Sequence, residues 1–156
     1  MIQIDIPGSA SLRLEHLVVD FNGTLACDGV LLPGVRERLE RLSGSIRLHV
    51  VTGDTFKRAG IELADLPCQL FILDAADQTR AKLEYLQRLG AQRTACIGNG
   101  RNDALMMEAA ALGIAVVQTE GAAPATLCAA DVIARGIDDA LDLLAHPQRL
   151  AATLRV

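Results

Sequence analysis

Short apolar runs alternate with amphipathic helical stretches along this chain, and no other feature of the sequence constrains its fold as strongly. The apolar runs predict strands at residues 14–19, 46–51, 69–73, 94–97, 114–117 and 132–133. The stretches between them predict helices at residues 35–42, 55–63, 83–89, 104–112, 124–130 and 137–144. Strands and helices that alternate with short connections form a parallel sheet covered by helices on both faces.

The predicted fold class is therefore α/β, with a three-layer, doubly wound parallel sheet. Residues 1–6 alternate apolar and polar side chains before the turn at Pro7 and Gly8, which predicts a short edge strand or a hairpin. The length of 156 residues predicts a single domain over residues 1–156. In sheets of this kind the ligand crevice lies beyond the carboxyl ends of the strands.

Composition argues against several classes of function. The net charge is −4, and the aromatic residues are one Tyr and three Phe with no Trp. Nucleic-acid binding needs a basic surface and stacking side chains, so we expect no nucleic-acid partner. No apolar stretch approaches the ~20 residues of a membrane span, and the first residues lack a signal-peptide pattern. We therefore expect a cytoplasmic protein with no membrane partner.

The cysteines and histidines show no metal-binding spacing. The cysteines form no Cys-x-x-Cys pair, which favours reduced thiols over a zinc or disulfide site. The histidines are isolated in the sequence, and we expect ordinary surface or partly packed side chains. These residues are Cys27, Cys68, Cys96, Cys128, His16, His49 and His146.

Polar residues follow the first two predicted strands of the sheet. Asp20 comes directly after the apolar residues 17–19, so its carboxylate is expected where a buried strand ends. A charged group in that position suits a nucleophile or a metal ligand that faces the crevice. Thr52 and Gly53 follow the next strand, and they offer a hydroxyl and an open backbone amide to phosphate oxygens.

A second group of polar residues lies later in the chain. Lys82, near the start of the third predicted helix, could hold a phosphate and neutralise a facing carboxylate. Asn99, Asn102 and Asp103 follow the fourth strand. Taken singly, each group also fits a common turn, a solvated lysine or a helix N-cap. Because all of them occur in order, each at a strand end or on the appropriate helix, they indicate one site.

Residues 20–25 (Asp-Phe-Asn-Gly-Thr-Leu) resemble the first signature of the haloacid dehalogenase superfamily, Asp-x-Asp-Gly-Thr-Leu, whose leading Asp forms an aspartyl-phosphate. Residues 98–103 (Gly-Asn-Gly-Arg-Asn-Asp) resemble the Gly-Asp-Gly-x-Asn-Asp motif of phosphoserine phosphatases and P-type ATPases. With residues 113–117, 120–123 and 147–155, the chain resembles the small "soluble P-type ATPase" proteins along nearly its whole length.

This resemblance implies a haloacid dehalogenase-like Rossmannoid fold, a Mg²⁺ cofactor and a set of site residues. The implied catalytic positions are Asp20, Asn22, Thr52 and Lys82. The implied phosphate-binding residues are Thr52, Gly53, Lys82 and Asn102. The implied metal positions are Asp20, Asn22, Asn99 and Asp103.

The intervals between the motifs leave no room for an inserted cap domain, so we expect a capless protein. Discrimination among substrates would then fall to short loops, to residues 27–32 after the nucleophile, or to a neighbouring subunit. Because capless relatives often cover the active site with a second copy, we expect a homo-oligomer.

Two asparagines depart from the family pattern. Asn22 replaces the Asp that protonates the leaving oxygen and then activates water, and an amide can do neither. Its backbone carbonyl can still bind a metal ion. Asn99 replaces an Asp that usually ligates Mg²⁺, and a neutral amide is a poorer ligand for that cation. Magnesium binding is therefore expected to be weakened but retained.

Two functions follow from these residues. The first is a Mg²⁺-dependent phosphatase that acts on a small phosphorylated metabolite through Asp20, slowly and with a preference for activated phosphates. The second is a catalytically reduced module that binds phosphate or a phosphorylated ligand, or serves as a regulatory subunit. The intact residues Asp20, Thr52, Lys82 and Asp103 favour the enzyme, whereas Asn22 and Asn99 favour the binding module.

Overall fold

The computed structural model describes residues 1–73 and 76–156. The strands are β1 (Ile2–Ile4), β2 (Leu12–Leu14), β3 (His16–Val19), β4 (Ala26–Cys27), β5 (Val30–Leu31), β6 (Arg47–Thr52), β7 (Cys68–Ile72), β8 (Thr94–Gly98), β9 (Leu112–Val116) and β10 (Val132–Ala134). The helices are α1 (Val35–Ser43), α2 (Ala59–Glu62), α3 (Gln78–Leu89), α4 (Ala104–Ala109), α5 (Pro124–Ala129), α6 (Ile137–Ala145) and α7 (Pro147–Leu154). The strands of the central sheet alternate with helices, as the sequence predicts.

The central sheet has six parallel strands in the order β10-β9-β8-β3-β6-β7. The chain builds the sheet outward from β3, first through β6 and β7 on one side and then through β8, β9 and β10 on the other. This reversal places a topological switch point beside the carboxyl end of β3, where such sheets bind ligands. The α/β prediction with a doubly wound parallel sheet is confirmed.

Apolar side chains from the sheet pack in two separate layers, because successive residues of a strand point to opposite faces. Leu17 and Val19 of β3 belong to the layer formed with α1, α6 and α7. Val18, between them, belongs to the layer on the other face with Leu86 of α3 and Met106 of α4. The predicted amphipathic faces of α1 and α6 are buried, and the three-layer arrangement is confirmed.

Several predicted boundaries differ from the structure. Residues 1–6 agree with the hairpin alternative, since β1 pairs antiparallel with β2 in a two-stranded sheet outside the central one. The predicted helix at residues 55–63 is reduced to the four residues of α2. Asp54 and Lys57 adopt positive φ angles of 47° and 53°, which are incompatible with a helix. The Asp54 side chain then accepts hydrogen bonds from the backbone amides of Arg58 and Ala59, and this fixes the late start of α2.

The helix predicted at residues 104–112 begins as expected but ends earlier. Helix α4 ends at Ala109, and Gly113 lies inside β9. The backbone amide of Ala111 donates to the carbonyls of Ala91 and Thr94, so the chain is already extended before β9 begins. A side chain at position 113 would have its Cβ 2.8 Å from the Met107 carbonyl oxygen, so the glycine allows close packing of α4 on the strand.

Two of the histidines are buried, whereas the sequence predicted surface or partly packed side chains. His16 of β3 and His49 of β6 are buried, and His16 Nδ1 lies 3.0 Å from His49 Nε2. His49 Nδ1 lies 2.9 Å from the hydroxyl of Tyr85 on α3. Burial, followed by repulsion from His16, lowers the pKa of His49 to about 4, so this imidazole is neutral at physiological pH.

Among the described residues, no helix is long and apolar enough to cross a lipid bilayer.

Candidate active site

The sheet register brings the predicted site residues to one edge. Val19 of β3 is level with Val50 of β6 and with Ile97 of β8. Adjacent strands are about 4.8 Å apart. Asp20, Thr52 and Asn99 follow these level positions by one or two residues, so their segments reach the same edge of the sheet side by side. Asp20 therefore emerges between the segment that contains Thr52 and the turn that follows β8. This register brings the segments that carry the predicted site residues together.

A buried lysine joins two carboxylates at the base of the crevice. Lys82 Nζ lies 2.6 Å from Asp20 Oδ1 and 2.7 Å from Asp103 Oδ1. The Lys82 side chain is 0% exposed, and Asp20 as a residue is 8% exposed. A buried lysine requires charged partners, and α3 places Lys82 where both carboxylates can reach it. The sequence predicted the facing carboxylate; the simultaneous contact with Asp103 is new.

Asp103 also holds the turn that follows β8. Its Oδ2 accepts hydrogen bonds from the backbone amides of Asn99 at 3.0 Å and Gly100 at 2.9 Å. A Cβ on Gly98 would lie 2.5 Å from the same carboxyl group, so only glycine fits there. Since both oxygens of Asp103 already have protein partners, this residue anchors Lys82 and the turn, and the remaining oxygen donors must provide most of a cation site.

The charge balance of the site is unfavourable without a cation. Burial, together with repulsion from Asp103, raises the pKa of Asp20 to about 7, although Lys82 opposes the shift. For Lys82, burial lowers the pKa, but attraction to Asp20 and Asp103 outweighs it and the net shift is upward. Two carboxylates and one ammonium leave one excess negative charge in a poorly solvated place. A bound divalent cation would relieve that excess.

Asn22 and Asn99 provide neutral oxygens near Asp20. The buried side-chain oxygen of Asn22 has no hydrogen-bond partner among the described residues. Asn99 Oδ1 accepts from the Thr24 hydroxyl at 3.2 Å, and that hydroxyl also lies 3.4 Å from Asp20 Oδ2. Carboxylate and amide oxygens are the ligands that Mg²⁺ prefers, so the donor set of Asp20, Asn22 and Asn99 fits this cation.

The amide nitrogen of Asn99 has a structural partner that an Asp could not bind. Asn99 Nδ2 donates to the carbonyl of Gly121 at 2.9 Å, and the Asn99 carbonyl accepts from the amide of Ala123. These bonds hold the loop between β9 and α5 against the turn that follows β8. The asparagine at position 99 therefore has a positive role in the fold, in addition to the charge it removes.

The phosphate-binding residues that the sequence predicts lie along the other wall of the crevice. The Thr52 hydroxyl accepts from the backbone amide of Asp54 at 3.0 Å, which leaves its own hydrogen free to donate to a ligand. Asn102 Nδ2 donates to Gln78 Oε1 at 2.9 Å. A Cβ on Gly53 would overlap the side-chain amide of Gln78. Gln78 thus bridges two predicted phosphate-binding segments, and sequence reasoning missed it because no motif contains it.

A second glutamine that the sequence did not reveal supports the turn that follows Asp20. Gln118 Nε2 donates to the carbonyls of Gly23 and Thr24, both at 2.9 Å. Gln118 Oε1 accepts from the backbone amide of Ile137 at 2.7 Å, at the start of α6. The turn after Asp20 is therefore tied to the start of α6. A lone glutamine after a strand carries no pattern from which this role could be read.

A small hairpin of β4 and β5 follows the turn after Asp20. Its tip contacts the segment after β6, because a Cβ on Gly29 would lie 2.7 Å from Cβ of Phe56. Val30 and Phe56 remain exposed beside this contact. Within residues 1–73 and 76–156 no segment forms a cap domain, which agrees with the sequence prediction. The hairpin lies in the 27–32 region expected to discriminate among substrates.

Solved structures with the same fold place this geometry in context. The chain aligns with the cobalt-bound 3-deoxy-D-manno-octulosonate 8-phosphate phosphatase of Haemophilus influenzae with a TM-score of 0.72 and 19% identity, over 92% of this chain and 94% of that one. A Legionella pneumophila protein described as a HAD superfamily (subfamily III A) hydrolase gives a TM-score of 0.72 and 20% identity, over 90% and 87% of the two chains. This chain has the haloacid dehalogenase fold. Identities this low establish the fold alone.

The 3-deoxy-D-manno-octulosonate 8-phosphate phosphatase of Moraxella catarrhalis, solved in complex with a magnesium ion, a phosphate ion and a KDO molecule, also aligns with a TM-score of 0.72 and 19% identity, over 91% and 94% of the two chains. No model of a protein family matches the sequence. The chain is 43% identical over 79 residues to the uncharacterized protein MJ0073 of Methanocaldococcus jannaschii, which covers 48% of this chain and 85% of that protein. The two chains belong to one family.

Proposed function

We propose that this protein is a phosphohydrolase that forms an aspartyl-phosphate on Asp20 and acts on a small phosphorylated metabolite. The observation that carries the proposal is the buried contact of Lys82 with Asp20 and Asp103 at the carboxyl end of β3. Burying a lysine and two carboxylates together carries a desolvation cost. A functional role would explain why the protein keeps them. Their place at the switch point of a haloacid dehalogenase fold supports a catalytic use.

The reaction would proceed in two displacements. A carboxylate oxygen of Asp20 attacks phosphorus, a new P–O bond forms, and the bond between phosphorus and the leaving oxygen breaks. Water then attacks the aspartyl-phosphate, which releases inorganic phosphate and returns the Asp20 carboxylate. Lys82 and the Thr52 hydroxyl would hold phosphoryl oxygens during both steps, and preorganised donors of this kind stabilise the charge of the transition state.

A magnesium ion is proposed as cofactor, held by oxygens of Asp20, Asn22 and Asn99. Asp103 would act indirectly, because it is paired with Lys82. When bound, it would neutralise the phosphoryl oxygens and the nucleophile. The raised pKa of Asp20 supports a cation site. A nucleophilic carboxylate must be ionised, and a bound cation would stabilise the ionised form. The solved structures with cobalt and magnesium show that phosphatases of this fold bind divalent cations.

Asn22 sets the proposed preference among leaving groups. The amide carries no proton that it can transfer to a departing oxygen, and a general acid typically contributes about 10²- to 10⁴-fold in rate. Acyl phosphates and phosphoanhydrides leave as stable anions and need no such proton. Alcohol and sugar phosphates do, so their hydrolysis is expected to be slow. Acetyl phosphate is therefore the first substrate to test.

The decisive experiment compares wild type with Asp20→Asn. With Mg²⁺ present, wild type is expected to release phosphate from acetyl phosphate, and the variant is expected to show no turnover because an amide is a poor nucleophile. Circular dichroism would establish that the variant is folded. Activity that survives the substitution would refute the proposed nucleophile. If wild type binds phosphate but turns over no substrate, the phosphate-binding module becomes the better interpretation.

The role of Asn22 is tested by a table of rates against leaving-group pKa. Asn22→Asp restores a titratable group, so hydrolysis of alkyl phosphates should rise by up to about 10²-fold while acetyl phosphate changes little. A variant that changes all substrates equally, or none, would contradict the missing-acid interpretation. A single-domain, cytoplasmic homo-oligomer remains part of the proposal, and light scattering at micromolar concentration tests the assembly.

A further inference from the structure

We infer that Gln78 is a phosphate-binding residue of this site, one that donates from Nε2 to a phosphoryl oxygen. The inference rests on the proposed function and identifies a ligand contact that none of the recognisable motifs contains. It starts from the position of Gln78 in the first turn of α3, four residues before Lys82. Residues four apart lie on the same face of a helix, so α3 directs both side chains toward the crevice.

The Gln78 amide lies between the two segments that are expected to contact the phosphate. On one side its Oε1 accepts from Asn102 Nδ2 at 2.9 Å. On the other side its Nε2 lies against Gly53, so closely that any side chain at position 53 would overlap it. The hydrogen bond from Asn102 fixes the orientation of the amide, because it requires the oxygen on that side. Nε2 must then face Gly53 and the space beside Thr52.

The donor atoms of Gln78 have no use within the described part of the protein. Nε2 carries two hydrogens, and the hydrogen bonds of residues 1–73 and 76–156 give it no acceptor. The side chain is only half-buried, so solvent and small ligands can reach this amide. A donor that is held in one orientation beside Gly53 and Thr52, and that gives up no partner among the described residues on binding, is suited to an anionic oxygen.

The glycine at position 53 fits this arrangement. Gly53 does not adopt a positive φ, so backbone conformation does not demand a glycine there. The space it leaves is filled by the Gln78 amide. The absence of a side chain at position 53 is therefore explained by the position of Gln78, and the pair forms one wall of the proposed phosphate site.

The variant Gln78→Glu separates phosphate binding from a purely structural role. The glutamate keeps an oxygen that can accept from Asn102, but it replaces the Nε2 donor with a second, negatively charged oxygen. Glutamate in the first turn of a helix is also compatible with the helix dipole, so α3 is not weakened. Gln78→Ala removes both the acceptor and the donor. Gln87→Glu, at an exposed position of the same helix, is the matched control for the added charge.

The measurement is the affinity for inorganic phosphate in the presence of Mg²⁺, by calorimetry, together with the KM for acetyl phosphate. Gln78→Glu and Gln78→Ala are both expected to weaken phosphate binding about 10- to 100-fold, the usual effect of losing a hydrogen bond to a charged group. Gln87→Glu should bind as wild type does. Thermal unfolding of each variant would establish that the fold is intact.

The outcomes separate this inference from the proposed function. If Gln78→Glu binds phosphate like wild type and only Gln78→Ala loses affinity, Gln78 merely positions Asn102 and the inference is overturned. The same holds if neither variant differs from wild type. If wild type itself neither binds phosphate nor hydrolyses acetyl phosphate, the proposed function fails and the inference fails with it.

Discussion

Replacing Lys82 with methionine should lower the free energy of unfolding, by an amount that depends on pH. Methionine has a similar length and no charge, so it leaves the carboxylates of Asp20 and Asp103 buried and without their cation. Breaking a buried ion pair by removing one partner costs about 3–5 kcal/mol. Opposite charges 4 Å apart attract by about 4 kcal/mol at an effective dielectric constant of about 20, which gives the same magnitude.

The destabilisation should grow as the pH rises. Without Lys82, the pKa of Asp20 in the folded state rises further above its unfolded value, so the folded variant binds more protons than folded wild type as the pH approaches 8. The contribution of this carboxyl group to stability is full at low pH and is lost as the pH increases through its folded-state pKa. Since Asp20 already titrates near 7 in wild type, the difference should be small at pH 5 and largest near pH 8.

The assay is urea denaturation of wild type and Lys82→Met at pH 5 and pH 8, with a chelator present to exclude divalent cations. Lys57 is the only other lysine in the chain and is exposed, so Lys57→Met is the matched control. A loss below about 1 kcal/mol at pH 8, or the same loss at both pH values, would refute the argument, because typical domains have only about 5–15 kcal/mol in total. The double variant Lys82→Met/Asp103→Asn should regain part of the loss.

Three further outcomes follow from the contacts. Because burial lowers the pKa of His49 to about 4, its contribution to the free energy of unfolding is intact above pH 6.5 and falls by up to about 3 kcal/mol toward pH 4, which the difference between wild type and His49→Gln in urea would measure. Asn99→Asp should lower the melting temperature without metal, since the lost bond to the Gly121 carbonyl costs about 1–3 kcal/mol, yet should lower the Mg²⁺ concentration needed for activity. Gly53→Ala should weaken phosphate binding as Gln78→Glu does, because the new methyl group displaces that amide; unchanged affinity would contradict the packing argument.

The layered fold could be predicted from the sequence because its signal is local and repeated. Each buried strand is a run of apolar residues, and each covering helix shows its own apolar face, as in α6. The wrong boundaries have long-range causes. The chain becomes extended at Ala111 because its amide reaches carbonyls before and at the start of β8, and a contact of that kind leaves no pattern in the neighbouring residues.

The site divides in the same way. Asp20, Thr52 and Asp103 could be assigned because each follows a strand, and parallel strands end at one edge of a sheet. The partners of these residues could not be assigned, since they depend on how helices pack on the sheet. Gln78 and Gln118 reach the site from a helix and a loop, and neither stands in a recognisable motif.

The central position of β3 also governs how the chain can assemble as it is synthesised. This strand pairs on one side with β6 and on the other with β8, which begins only at Thr94. Until more than half of the chain has been made, one backbone edge of an entirely apolar segment, residues 17–19, has no partner. Pairings between distant segments slow folding, and unpaired apolar edges promote association between nascent chains. The strand that leads to Asp20 therefore remains exposed to other chains for a long part of translation.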